Sequence, residues 1–291
     1  MGRSYHQPES LAAALDALAE HPDADVVAGG TDLVVGDRQG KRPLGETLVA
    51  IHALDELRGI EETSDGGLRL GGLATHWEIE HHDAIRSRFS TLSDGSALVG
   101  SPATRMSGTI GGNLANASPA VDTGSPLLVL DASVDLASRN GQRTVALADF
   151  VQGPGQTVRE RNELLIAVSI PALPAGRVGS AYVRLEYRQA MEIAVVGAAA
   201  LLALDDTDRI VEGRVAITAV APVCLRVLDA ERVLVDQPAS AGSFDQAAQA
   251  AASAAQPIDD VRASADYRRA MVAVITGRAL ERALQRARGE A

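Results

Sequence analysis

Only one cysteine, Cys224, stands in the 291 residues. The chain therefore makes no internal disulfide and supplies no ligand set for an iron–sulfur cluster or a Cys-rich zinc site, so any metal redox centre belongs on another polypeptide. Positive charge is also short, with 27 Lys and Arg against 38 Asp and Glu and a formal net charge of -11. A nucleic-acid or anionic-membrane surface needs a basic stripe, so the expected partners are proteins and small molecules. The opening MGRSYHQPESL has no apolar h-region, and no stretch offers about 18 uninterrupted apolar residues, which predicts a cytoplasmic protein without a membrane span. GxSxG, HExxH and GxxxxGKS/T are all missing, which removes the common hydrolase, zinc-protease and P-loop readings. Six histidines include His76, His81 and His82. The last two are adjacent, point apart on a helix and make a poor ligand pair, so no metal site is expected.

What is present is a pair of glycine motifs, AGGTDL at Ala28 to Leu33 and TIGGNLANASPAVD at Thr109 to Asp122. Glycine turns without side chains let phosphate oxygens approach main-chain N–H groups. Thr31, Thr109, Asn113 and Ser118 add neutral donors, and neither motif contains lysine. Two such motifs with matching hydroxyl neighbours suit a dinucleotide held by amides and hydroxyls. The bland alternatives are a tight strand exit and a glycine-rich connector.

Length suits two domains. Ser10 caps a short helix on Leu11, Ala14, Leu15 and Leu18 that Pro22 stops. Asp25 to Ala28 reads as a strand running into the first glycine motif, and Leu48 to Ile51 as another. Gly59 to Gly72 predicts a hairpin turning at Asp65 and Gly66. Thr75 and Glu78 form a capping box for a helix through Phe89. Leu98 to Ser107 ends a helix before the second glycine motif. Val129 to Ser138 and Arg143 to Leu147 flank Asn140 and Gly141 as the strongest hairpin signal. Leu164 to Ile170 is a strand, and Pro171, Pro174, Gly176 and Gly179 mark a linker. Beyond it, Ala181 to Tyr187, Val195 to Leu204 and Ile210 to Val220 read as three antiparallel strands. Helices around Leu225 to Val235, Phe244 to Ala255 and Tyr267 to Arg288 cover one face. No internal repeat is present. Cys224, between Val223 and Leu225, reads as a small core residue.

Both glycine motifs, together with RQAMEIAVVGAA at Arg188 to Ala199, resemble the FAD-binding medium subunit of the molybdenum hydroxylases, the family of xanthine dehydrogenase and aerobic carbon monoxide dehydrogenase. The resemblance runs over essentially the whole chain, and TIGGNLANASP is its most specific block. It implies an α+β fold: a two-lobed PCMH-type FAD-binding domain at 1–175, then a domain at 180–291 with a three-stranded antiparallel sheet and helices. It implies non-covalent FAD on Val27, Ala28, Gly29, Gly30, Thr31, Asp32, Leu33, Thr104, Gly108, Thr109, Gly111, Gly112 and Asn113, with Asp122, Leu164, Leu165 and Arg184 completing the site.

Some of these positions carry two readings. Asp122 either accepts a hydrogen bond from a ribose or adenine edge or caps the next segment. Leu164 and Leu165 lie against the cofactor rings or are plain core. Arg184, where the family often has Lys, is a cation near the flavin or a solvated strand residue. Glu192 and Ile193 stand where relatives carry an acid and an aromatic or aliphatic residue, and Ile193 cannot stack as Tyr would. The implied activity is electron transfer from an iron–sulfur partner through FAD to an external acceptor. A large molybdopterin subunit and a small 2Fe-2S subunit complete a dimer of heterotrimers, and substrate chemistry occurs on the partner. AGGTDL and Ile193 depart from the carbon monoxide dehydrogenase pattern. A self-contained flavin oxidase and a flavin-free scaffold are the competing readings.

Overall fold

The computed structural model describes residues 3–188 and 190–290. The first lobe runs β1 (Ser4–His6), α1 (Leu11–Glu20), β2 (Asp25–Val27), α2 (Leu33–Arg38) and β3 (Thr47–Ala50). Its parallel sheet has the order β1-β3-β2. Ser10 caps α1 by accepting from Ala13 N, and Ala14, Leu15 and Leu18 turn inward, as their spacing requires.

The second lobe begins with the hairpin β4 (Ile60–Glu62) and β5 (Leu68–Gly71), with Gly66 at φ +90° in its turn. Helices α3 (His76–His81), α4 (Asp83–Arg88), α5 (Ser90–Ala97), α6 (Pro102–Ser107), α7 (Ile110–Ala115) and α8 (Gly124–Val129) follow. Then come the hairpin β6 (Ser133–Ser138) and β7 (Gly141–Ala146), α9 (Leu147–Phe150), β8 (Val151–Gly153), β9 (Gln156–Thr157) and β10 (Leu164–Ile170). The antiparallel sheet is ordered β4-β5-β10-β6-β7.

The single helix expected through Phe89 is two. The capping box of Thr75 and Glu78 forms, but the backbone is extended at His82, between α3 and α4. Ile79 and Ile85 explain the break: six residues apart, they would point about 120° apart on one helix, and the kink brings both to 0 % exposure. Likewise Val129 ends α8 rather than opening the hairpin strand, which starts at Ser133.

The C-terminal unit comprises β11 (Arg177–Leu185), β12 (Val196–Leu204), β13 (Ile210–Thr218), β14 (Leu225–Arg226), α10 (Leu228–Leu234), α11 (Ala241–Ala254) and α12 (Ala265–Ala287). Its antiparallel sheet has four strands, not three, in the order β11-β12-β13-β14. The fourth is a two-residue piece at Leu225–Arg226, whose apolar neighbours read as helix in the sequence. Gly179 also lies within β11 rather than in a linker: a Cβ there would stand 2.1 Å from Ala283 O, so α12 packs directly on the strand.

Helices cover both faces of this sheet. Ala198, Ala200, Leu202 and Leu204 face the core shared with α10, α11 and α12. Tyr182, Ala199, Leu201 and Ala216 join the core of the second lobe. Burial on both sides is why Val196–Leu204 is apolar throughout rather than alternating, and all nine of its residues are buried. Arg286 of α12 closes the junction, donating to Asp94 at 2.6 and 2.9 Å and to Ser180 O at 2.7 Å. No helix among the described residues is long and apolar enough to cross a membrane.

Candidate functional site

The first glycine motif leaves the sheet at Val27, the last residue to pair with β3. Gly30 adopts φ +68° and its carbonyl accepts from Val34 N, starting α2. Among the described residues, none of the six N–H groups from Ala28 to Leu33 donates to a protein acceptor. A run of unpaired amides in a turn of this kind is a ready site for an anion. The loop is also pressed against the end of α6, since a Cβ on Gly29 would stand 1.8 Å from Ser107 O.

The second motif is not a turn. Thr109 caps α7, with Oγ1 accepting from Gly112 N at 3.1 Å, and both glycines lie in the helix's first turn. Their amides are already used: Gly111 N donates to Gly72 O at 3.0 Å, and Ile110 N to Ala74 O at 2.9 Å. What the glycines supply here is absence of side chain. A Cβ on Gly111 would meet Gly72 O at 2.6 Å, whereas a Cβ on Gly112 would meet only Thr109 Oγ1, at 3.0 Å. Asn113 accepts from Thr123 Oγ1 at 2.6 Å through Oδ1, which leaves its NH2 as a donor.

These elements enclose a cleft of about 410 Å³. Ala28 to Leu33 form one wall. Thr104, Gly108, Thr109 and Gly111 to Asn113 also line the cleft, and Asp122, Leu164 and Leu165 complete the lining. Val27 and Arg184 do not line it. Glu192 and Ile193 reach it from the C-terminal unit, with Ile193 54 % exposed. Sequence reasoning missed Arg42, His76 and Arg159, which also line it. None lies within either glycine motif, and no local pattern marks them. Arg42 pairs with Asp25 at 3.3 Å. Arg159 donates to the carbonyls of Glu160 and Glu163 at 3.0 and 2.7 Å, and makes no ion pair among the described residues.

Asp122 is buried and fully engaged by protein. Tyr182 Oη donates to its Oδ1 at 2.8 Å and Arg184 Nη1 to its Oδ2 at 2.6 Å. Arg184 also donates to Leu98 O at 3.1 Å and pairs with Glu186. With its side chain 1 % exposed, Arg184 is not the solvated strand residue of one expectation; it stands behind Asp122 and acts on the cleft through it. Burial pushes the Asp122 carboxyl up to about 6, against the opposing pull of Arg184 and the Tyr182 hydroxyl. Burial and the nearby Arg105 push His76 down to about 4. Asp32, in the glycine loop, is raised by burial. His81 stacks on Trp77 and bonds its carbonyl oxygen. Among the described residues no group of three or more His, Cys, Asp or Glu is placed to hold a metal. Burial lifts the Cys224 thiol to about 11.

Residues 1–173 match the family described as FAD binding domain in molybdopterin dehydrogenase, and residues 181–283 match the CO dehydrogenase flavoprotein C-terminal domain. The chain is 31% identical to the xanthine dehydrogenase FAD-binding subunit of Escherichia coli O157:H7, over 99% of this chain and 98% of the relative. It is 33% identical to the carbon monoxide dehydrogenase medium chain of Afipia carboxidovorans, over 98% of this chain and 97% of that one. A crystal structure of Cu,Mo-CO dehydrogenase superposes with a TM-score of 0.92 at 32% identity, covering 98% of this chain and 99% of the other. The protein therefore belongs to the FAD-binding medium subunits of the molybdenum hydroxylase family, oxidoreductases of the xanthine dehydrogenase and carbon monoxide dehydrogenase type.

Proposed function

We propose that the cleft between the two glycine motifs holds FAD non-covalently and that this chain is the electron-transfer subunit of a heteromeric molybdenum hydroxylase. The observation that carries the reading is the run of unpartnered N–H groups from Ala28 to Leu33 lining a cleft that Gly112 also lines without a side chain. Those donors suit a diphosphate, and the missing Gly112 side chain suits close approach of its oxygens. The hydroxyls of Thr31 and Thr109 and the amide of Asn113 add neutral donors, and Leu164 and Leu165 offer an apolar wall. Arg42 and Arg159 supply positive charge that the glycine motifs lack.

FAD, when bound, supplies the redox chemistry between an iron–sulfur partner and an external acceptor. The chain's own residues bind and orient. Asp122, held by Tyr182 and Arg184, fixes a negative charge at the wall above pH 6. In this reading substrate oxidation takes place on a partner subunit. The partners in this reading are a large molybdopterin subunit and a small 2Fe-2S subunit, in a dimer of heterotrimers in the cytoplasm. In this reading the FAD-binding unit occupies 1–175 and the C-terminal unit 180–291, the first strand of the latter, β11, reaching back to Arg177.

The test is the visible spectrum and flavin release of the chain copurified with its native partners. One FAD per chain, with iron–sulfur and molybdenum in the complex, supports the proposal. A colourless chain that refuses added FAD refutes it in favour of a scaffold. Gly112→Val should abolish FAD retention in a chain that still folds, at a modest cost in melting temperature, because its Cβ meets no backbone and only the Thr109 hydroxyl, at 3.0 Å. Unchanged flavin content in that variant would refute the placement.

A further inference from the structure

His76 opens α3 at the joint between the two glycine motifs. Its N–H donates to Gly108 O at 3.1 Å, and Thr75 before it bridges to Thr109. The position a Cβ would take on Gly108 lies 3.4 Å from His76 Cδ2 and 3.6 Å from Thr31 Oγ1. The imidazole therefore stands where the Ala28–Leu33 loop and the Thr109 motif converge, and it forms part of the cleft wall although only 1 % exposed.

Its polar atoms are not used by the protein. Nδ1 is enclosed without a hydrogen-bond partner among the described residues. Nε2 is neither enclosed nor hydrogen-bonded there, so it is the nitrogen with access to the cleft. Burial and Arg105 keep the ring neutral at physiological pH, so one nitrogen donates and the other accepts. An enclosed N–H with no acceptor incurs its full desolvation cost, so the tautomer assigned from this network carries the proton on Nε2, where a ligand can accept it, and leaves Nδ1 as the unpaired acceptor. A buried polar side chain with its donor turned to a cleft calls for a ligand oxygen.

Resting on the FAD reading above, we infer that His76 is a cofactor-positioning residue, donating from Nε2 to an oxygen of the bound dinucleotide where the two glycine motifs meet. It adds a neutral donor at the junction between the free amides of Ala28 to Leu33 and the Thr109 motif, where the α7 amides are already spent on Gly72, Ala74 and Thr109.

The test titrates FAD into the full chain stripped of flavin, read by flavin fluorescence, for wild type and three variants. His76→Gln places an amide nitrogen near the position of Nε2, His76→Asn near that of Nδ1, and His76→Phe fills the space with no donor. The Gln variant should bind within about threefold of wild type, and the Phe and Asn variants about tenfold or more weaker. Wild-type affinity in His76→Phe, or rescue by Asn and not by Gln, overturns the inference while leaving the FAD reading intact. A wild-type chain that takes up no FAD overturns both. Should the Phe variant fail to fold, the Gln and Asn pair still decides.

Discussion

Arg184→Met is the sharpest probe of the wall behind the cleft, because methionine keeps length and apolar volume while removing the charge. Arg184 holds Asp122 Oδ2 at 2.6 Å and Leu98 O at 3.1 Å with its side chain 1 % exposed. Its loss leaves a buried carboxylate with Tyr182 as its one remaining donor, and breaking a buried pair in this way costs about 3–5 kcal/mol. For a chain of this size that is roughly 10 °C in melting temperature. The deficit must depend on pH. Asp122 already titrates near 6 in the folded protein, above its ordinary 3.8, and losing Arg184 removes an influence that lowers it. The folded variant therefore takes up a proton that the unfolded chain does not, so it gains stability as pH falls from above 6 toward 4. Thermal melts followed by circular dichroism should show the largest deficit at pH 8 and a much smaller one at pH 5. Adding Asp122→Asn to Arg184→Met should recover most of the loss at pH 8. A deficit independent of pH, with no recovery in the double variant, would show that Arg184 acts by packing and not by balancing Asp122.

Two other substitutions separate the roles of the neighbouring residues. Gly29→Ala places a Cβ 1.8 Å from Ser107 O, so the loop must shift off α6. Both FAD affinity and melting temperature should drop, the latter by an amount equal to about 1–3 kcal/mol; a normal melt would refute the close approach. His76, depressed from 6.5 to about 4, contributes fully above pH 6.5 and loses its contribution as pH falls toward 4, about 2 kcal/mol of it by pH 5. The stability difference between wild type and His76→Gln should change by that amount between pH 7 and 5. The urea midpoint of the fluorescence of Trp77, the only tryptophan, measures it.

Local signals in the sequence were enough for most elements. Ser10 before Leu11, Thr75 with Glu78, and Asn140–Gly141 each specify a cap or a turn from neighbours a few residues away. Errors arose where distant chain decides. The kink at His82 answers to a core that must take both Ile79 and Ile85. The short strand Leu225–Arg226 exists because β13 offers it an edge, and its pairs Ala216 with Arg226 and Ile217 with Leu225 leave no mark in a two-residue pattern. The second apolar face of β12 is covered by α5 and α8 of the other unit, and apolar periodicity cannot name the partner of a face.

The same division applies to the cleft, and there it changes what the motifs mean. In sequence the two glycine pairs look alike, yet their physics is opposite. Ala28 to Leu33 contribute donors, because the chain leaves β2 before helix α2 can take up its amides. Gly111 and Gly112 contribute only space, because Thr109, Gly72 and Ala74 have already claimed the amides of α7. A wall that supplies room without donors must borrow polarity from elsewhere, and the side chains placed to lend it are Asn113, Thr109 and His76. The first two are legible because they sit inside the motif. His76 is brought there by the bridge from Thr75 to Thr109, a contact between segments more than thirty residues apart that no local pattern encodes.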